Sequence, residues 1–295
     1  MQPSSLSIRE WHSQLADSEA FELAKQLITG LDSGDVAKYV LLCGEPERVP
    51  RIAAALSDER KVAQKREFCV HNGNLGGTPV TVASTGIGGP STAILLEELA
   101  NVGAHTFIRI GTSGGIADGL EKGDFVISTG AIRADGTSRS YVWPEYPAVA
   151  HHEVVLALID AARRGKARFD VGVCFSVDGF YSENKVLVGG KISPMSQSGY
   201  MPSFAVDRLA DVKMMGAKNI EMENGTIFTL CSLFGLRAGS ICTVSDVVPW
   251  HPTDKVIDFE QNMTDCINVG VEAMKTLISW DAKKSDSKFW SPSIQ

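Results

Sequence analysis

The segment Ser84-Thr85-Gly86-Ile87-Gly88-Gly89-Pro90-Ser91-Thr92-Ala93-Ile94 sets bare backbone among hydroxyls, and Arg109 follows in Ile108-Arg109-Ile110-Gly111-Thr112-Ser113-Gly114-Gly115. Glycines let a backbone turn tightly and approach a ligand with no side chain in the way. Backbone N–H groups, hydroxyls and a guanidinium on one edge form a place to hold an anion beside a polar small molecule. Gly44-Glu45-Pro46-Glu47-Arg48 repeats the pattern: a strand runs into glycine just before a helix starts. Taken alone, Arg48 reads as a solvated charge on a helix face. Glu221 and Glu223 flank Met222 immediately ahead of an apolar helix. Buried carboxylates are costly unless paired or hydrogen-bonded, although one of the two can simply complement a helix dipole.

The elements that must position these residues alternate in type. Val80–Ala83, Tyr39–Cys43, Thr106–Ile110, Asp124–Ser128, Val171–Ser176 and Ala238–Val244 read as strands, the last ending in Ser245-Asp246. Arg66–Val70 and Pro79–Val82 read as a pair joined by a turn over Asn72–Gly77. Helices are expected over Ser18–Leu31, Val49–Leu56, Ser91–Asn101, Ala150–Arg164, Ser203–Met215, Gly225–Phe234 and Val256–Trp280. In the first, Phe21, Leu23, Ala24, Leu27 and Ile28 form the apolar stripe; in Ser203–Met215, Phe204, Val206, Leu209 and Val212 point inward. Ser182–Pro202 reads as a long loop, a length usually tied to function or motion. The tandem His151-His152 reads as surface. The alternation predicts an α/β fold: one three-layer α/β/α domain over residues 1–295 with a mixed central sheet, and loose tails at 1–17 and 283–295.

Composition narrows the function. A chain of 295 residues with 44% hydrophobic content can bury one large core, and no linker marks a second domain. A formal net charge of −7 argues against general affinity for nucleic acid or anionic membranes, so any bound anion must be held by local arginines. The six cysteines, Cys43, Cys69, Cys174, Cys231, Cys242 and Cys266, are scattered without metal-ligand spacing. They read as buried free thiols in a reducing, cytoplasmic setting. No apolar stretch is long enough for a bilayer, and no signal-peptide core opens the sequence.

Together these residues resemble the nucleoside phosphorylase-I family, most closely its uridine phosphorylases, over roughly Val36 to Leu277. The glycine-rich segment followed by Glu97-Glu98-Leu99 fits the family signature. Gly44–Arg48, Arg66-Glu67-Phe68, Arg109–Thr112 and Glu221-Met222-Glu223 follow in the family's order. The resemblance implies reversible phosphorolysis of a nucleoside to free base and ribose 1-phosphate, with inorganic phosphate as co-substrate and no cofactor. It assigns phosphate to Gly44, Arg48, Arg66, Arg109 and Thr112, and the ribose to Glu221, Met222 and Glu223. Phe180 falls on the family's aromatic base platform. The resemblance also implies that Arg66 reaches a neighbouring subunit's site, hence a homodimer or a trimer of dimers. It further implies a monovalent cation, such as potassium, at the dimer interface beside Glu67, Ile87 and Ser91; Ser91 otherwise reads as a helix cap.

Departures from the pattern leave the base open. Uridine phosphorylases read uracil with a glutamine and an arginine; one placement puts Asn184 and Val186 there, another Gln197 and Tyr200, and neither supplies the arginine. Ser245-Asp246 resembles instead the purine-type pair whose aspartate shares a proton with purine N7, although Asp246 also reads as an Asx turn cap. Arg109, Glu223 and Asp246 are thus the expected catalytic residues. The family often supplies a histidine from the partner subunit to the ribose 5′-hydroxyl, and the matching region, Gln26-Leu27-Ile28, holds none. A hydrolytic nucleosidase is a weaker alternative, since water as nucleophile needs no arginine cage, and a non-catalytic relative is weaker again. A dinucleotide-binding module is poorer still, because Gly86–Ser91 lacks GxGxxG spacing.

Overall fold

A computed structural model of the protein describes residues 25–250, 257–284, 287 and 289–291. Strand β1 (Tyr39–Cys43) is wholly buried, and its five residues pair in parallel with β4 (Thr78–Ser84). On its other side, Tyr39–Leu42 pair with the first half of β5 (Thr106–Gly115). A continuous apolar run buried on both faces is what parallel strands require, and each buried valine or leucine contributes about 1.5–3 kcal/mol. Beyond β4 lie β3 (Phe68–Leu75) and the exposed edge strand β2 (Ser57–Lys65), both antiparallel. On the other flank of β5 run β12 (Arg237–Val247), β6 (Phe125–Arg133) and β8 (Phe169–Ser176), with β7 (Ala148–Val149) against β6.

The sheet then curls onto itself. Strand β11 (Asn219–Glu221) pairs with β8 and also, antiparallel, with the last two residues of β5. Strands β5, β12, β6, β8 and β11 therefore close a ring, and the C-terminal end of β5 sits inside its rim. Two helix pairs flank the sheet: α2 (Gly89–Asn101) with α7 (Asn224–Leu233), and α4 (His152–Arg164) with α8 (Phe259–Lys283). The short α1 (Arg48–Ala53) packs beside β1, and α3 (Gly136–Tyr141) packs beside α7. The mixed, helix-flanked sheet is the expected α/β architecture.

Several expectations change. Residues 25–31 form turns, not a helix; they dock on α2 through Glu98, whose carboxylate accepts from the Ile28 and Thr29 N–H groups. Phe21, Leu23 and Ala24 lie outside the described residues, as does Val256. The β3–β4 connection is only Gly76-Gly77, because Asn72–Leu75 continue the strand. The 182–202 stretch is not a structureless loop. It holds the end of α5 (Phe180–Glu183) and a hairpin of β9 (Lys185–Val188) and β10 (Lys191–Pro194). Ser203–Met215 breaks into a short 3-10 turn and α6 (Arg208–Met214), leaving Phe204 and Val206 outward.

The C-terminal segment is not loose where described: Trp290 stacks on Trp280 at 3.7 Å, and its N–H donates to Glu153. His151 is half-buried, not surface, and caps α4 by accepting from the Glu153 N–H. All six cysteines are buried and free. No helix among the described residues is long and apolar enough to cross a membrane.

Candidate active site

A cavity of about 480 Å³ opens where β1, β5 and β12 end, roofed by the turns after β8 and β11. Carboxyl ends of parallel strands are where α/β sheets leave room for ligands. It gathers Gly44, Arg48, Arg109, Thr112, Phe180, Asn184, Glu221, Met222, Glu223, Ser245 and Asp246, together with Ile87. These residues come from six separate places in the chain, and the ring closure of β11 on β5 helps to join them.

Arg48 is buried, not solvated. Its Nη1 donates to the Ile110 carbonyl at 3.2 Å and its Nη2 to Glu45 at 2.7 Å, while its Nε has no partner. Arg109 is equally buried: Nη2 donates to Glu223, Nη1 lies 3.6 Å from Glu221, and its Nε also has no partner. Two buried guanidinium groups, each with an unpartnered Nε, thus stand at the wall of one cavity, and guanidinium donors of this kind can hold an anion.

The two glutamates do different work. Glu221 accepts from the N–H groups of Glu223 and Asn224, at 2.9 and 2.8 Å, and so holds the start of α7. Burial pushes its carboxyl above the ordinary range against the pull of Arg109. Glu223 accepts from Arg109 on one oxygen and from the Gly88 N–H, at 2.6 Å, on the other. Gly88 lies at φ +87°, a left-handed backbone that glycine adopts without strain and that points this N–H at Glu223.

At the far end of the cavity, β12 carries a bulge between Val244 and Asp246. Bulges re-aim side chains; here the bulge brings Asp246 to the cavity wall, where it accepts from the Ser245 hydroxyl at 2.7 Å. Phe180 is half-exposed and meets Tyr181 edge-on at 5.1 Å. Asn184 is buried, its amide N–H donating to the Phe180 carbonyl at 2.7 Å.

Other expected residues lie elsewhere. Gln197 does not reach the cavity: the β9–β10 hairpin carries it to an exposed turn, with Tyr200 exposed beyond it. Arg66 is exposed at the β2–β3 turn with φ +56°, outside this chain's own cavity. Gln26 bonds to Asn101 of α2, also outside it. Glu67 and Ser91 do meet, at 2.8 Å, and Ser91 also donates to the Thr85 carbonyl, so its hydroxyl is not a helix cap. Ile87 is 78% exposed beside them. Sequence reading passed over Ser113, Gly114 and Tyr181, all lining the cavity, though each adjoins a residue already singled out. It also gave no role to Cys242, whose sulfur accepts from Arg109; nothing in the sequence separates that cysteine from the other buried ones.

Residues 38–279 match the phosphorylase superfamily, nearly the whole described chain. The chain belongs to that superfamily. Among its relatives, a uridine phosphorylase of Thermococcus kodakarensis is 44% identical over 264 residues, covering 89% of this chain and 91% of the relative. The uridine phosphorylase of Escherichia coli is 36% identical over 266 residues, covering 90% of this chain and all of the relative. A guanosine phosphorylase of Halorubrum lacusprofundi is 40% identical over 222 residues, covering 75% of this chain and 83% of the relative. Membership of the phosphorylase superfamily makes the enzyme class that of a pentosyltransferase, which fits a cavity walled by two buried arginines.

Proposed function

We propose that the protein is a nucleoside phosphorylase of the uridine phosphorylase type. It would cleave a ribonucleoside reversibly with inorganic phosphate, giving free base and ribose 1-phosphate. The observation that carries this reading is the pair of buried arginines, Arg48 and Arg109, each with an unpartnered Nε, at the wall of one cavity that also holds Glu223. Phosphate sits on Arg48, Arg109, the Gly44 N–H and the Thr112 hydroxyl, below the anomeric carbon. A phosphate oxygen forms the new bond to C1′ as the bond to the base nitrogen breaks, and the electron pair leaves with the base. The sugar passes through an oxocarbenium-like state, so positioning and fixed charge supply most of the rate.

Glu223 accepts from the ribose hydroxyls, Met222 packs on the sugar, and Glu221 holds the turn that carries both. Phe180 stacks on the base. Arg66 would serve the neighbouring site in a homodimer or trimer of dimers; its exposed place outside its own cavity supports this. A potassium ion beside Glu67, Ile87 and Ser91 belongs to the same proposal, supported by the grouping of a carboxylate, a hydroxyl and the Thr85 carbonyl. Buried free thiols support a cytoplasmic location.

A purine nucleoside is the second reading. The bulge that brings Asp246 to the wall favours it, because a carboxyl there can share a proton with N7 of a leaving purine, and the relatives include a guanosine phosphorylase. The test is a panel of nucleosides incubated with and without phosphate, following free base and ribose 1-phosphate. Uridine cleaved only with phosphate supports the first reading, and guanosine or inosine preferred supports the second. Base release without phosphate would make the protein a nucleosidase and overturn both.

A further inference from the structure

Arg109 is held in a way that its two carboxylate partners do not explain. On strand β5, Arg109 and Gly111 are two residues apart and share a face. A methyl group at Gly111 would lie 2.4 Å from Arg109 Nη1, 2.7 Å from Cζ and 3.0 Å from Nη2. The guanidinium therefore lies flat across the bare Cα of Gly111. Directly across the ladder, Cys242 of β12 pairs with Gly111. Its sulfur accepts from Arg109 Nη1 at 2.8 Å, and the residue is wholly buried. We infer that Gly111 and Cys242 form the seat that fixes the Arg109 guanidinium, and that Cys242 is a positioning residue for phosphate.

The choice of sulfur has a physical reason. Two carboxylates, Glu221 and Glu223, already adjoin Arg109. A third anionic acceptor would add to the negative charge already beside Arg109 and repel phosphate. A thiol is a weak, neutral acceptor, and burial raises the Cys242 thiol further from ionisation. It orients one N–H without adding negative charge beside the guanidinium. An orienting bond of this kind acts by sparing the arginine its search for a bound geometry, as preorganisation does elsewhere.

The inference rests on the reading of the cavity as a phosphate site, and the experiment separates the two. Cys242→Ala, Cys242→Ser and Gly111→Ala are compared with the wild type in phosphate-dependent cleavage of whichever nucleoside the wild type accepts. Phosphate binding is measured by calorimetry alongside. Loss of one hydrogen bond predicts a phosphate KM raised about fivefold in Cys242→Ala. The nucleoside KM should move by less than about twofold, and Cys242→Ser, which keeps an acceptor, should return close to wild type. Gly111→Ala should be worse, about tenfold or more, because its methyl displaces a flexible guanidinium and not the backbone. Wild-type protein that binds no phosphate overturns the phosphate reading itself. Wild-type protein that binds phosphate, with Cys242→Ala equal to it, overturns the seat alone. Both KM values rising together with a fall in Tm overturns it too, since that marks a cysteine that merely fills the core.

Discussion

Strands β5 and β12 run side by side past two buried arginine clusters, and the clusters are built to opposite ends. Where β12 starts, Arg237 has every nitrogen engaged. Nε and Nη2 donate to Thr106, Nη1 to Glu153 at 2.6 Å, and both Nη1 and Nη2 to Asp281. Lys284 reaches both carboxylates, at 2.7 and 2.8 Å, and the Tyr39 hydroxyl donates to Asp281. Two cations meet two carboxylates with nothing left over. Although burial opposes it, hydrogen bonds from Arg237, Lys284 and Tyr39 hold Asp281 well below the usual carboxylate range. Three residues further along β5, Arg109 keeps an unpartnered Nε, and Glu221 beside it is pushed up by burial. One cluster is satisfied and ties α4 and α8 to the sheet. The other is left incomplete at the wall of a cavity, as a ligand site must be.

The contrast predicts that two arginine substitutions will separate activity from stability. Arg109→Ala should lower phosphorolysis about a thousandfold, the scale of losing a main transition-state charge. Its circular dichroism should stay that of a folded protein, because the carboxylates left behind can draw water from the cavity. Arg237→Met should do the reverse. It leaves Glu153 and Asp281 to share Lys284 in a buried site, which costs about 3 kcal/mol, while initial rates at low temperature stay within about twofold, since Arg237 does not line the cavity. Denaturant melts and initial rates on both proteins decide it. An Arg237→Met enzyme as stable as wild type but inactive would collapse the distinction.

The sequence revealed one cluster far better than the other. Arg109 stands in a strand followed by Gly111 and Thr112 and preceded by a glycine-rich turn, a local pattern that marks an anion site. Arg237 has no such pattern: its partners sit 84 and 44 residues away, on α4 and α8, and only tertiary packing brings them together. The same rule covers the rest. Buried runs such as Tyr39–Cys43 were legible because burial on both faces writes itself into five consecutive apolar residues. Strand β2 was not, because its exposed residues Ser57–Lys65 are held by ladder bonds to β3 and not by apolar burial. Of the two alternative placements, Gln197 lies away from the cavity because Gly189-Gly190 turns a hairpin between β9 and β10, and turn glycines look the same in sequence as loop composition. The ring closure of β11 on β5, which builds the cavity, is a non-local pairing of only two residues and leaves no periodic trace.

Strand β12 sharpens the comparison, since it begins at Arg237 in the structural cluster and carries Asp246, its last residue but one, to the cavity. Asp246→Asn keeps the size and the bond from Ser245 but removes the acid. If Asp246 shares a proton with a departing purine, purine turnover should fall about a hundredfold while uridine turnover barely changes. If it only caps the bulge, stability should drop and all nucleosides should be affected alike. Steady-state rates for guanosine and uridine, read beside Tm, distinguish the two.

The smallest predicted effect concerns acid and belongs to the structural cluster alone. His151 caps α4 next to Glu153. Burial, then the charges of His152, Arg237 and Lys284, push it down to about 4, against the pull of Glu153. A free histidine titrates near 6.5. Between about pH 6.5 and 4 the unfolded chain therefore binds a proton that the folded chain refuses, so stability falls as pH falls through that window. His105, lowered in the same direction by burial and Arg237, adds to the slope. His151→Asn keeps a capping acceptor and removes the titration. It should reduce the loss of stability between pH 7.5 and 5 by about 1 kcal/mol, allowing for solvent screening at a half-buried site. Denaturant midpoints at the two pH values measure it, and an unchanged difference would mean that His151 is as free to protonate in the fold as in water.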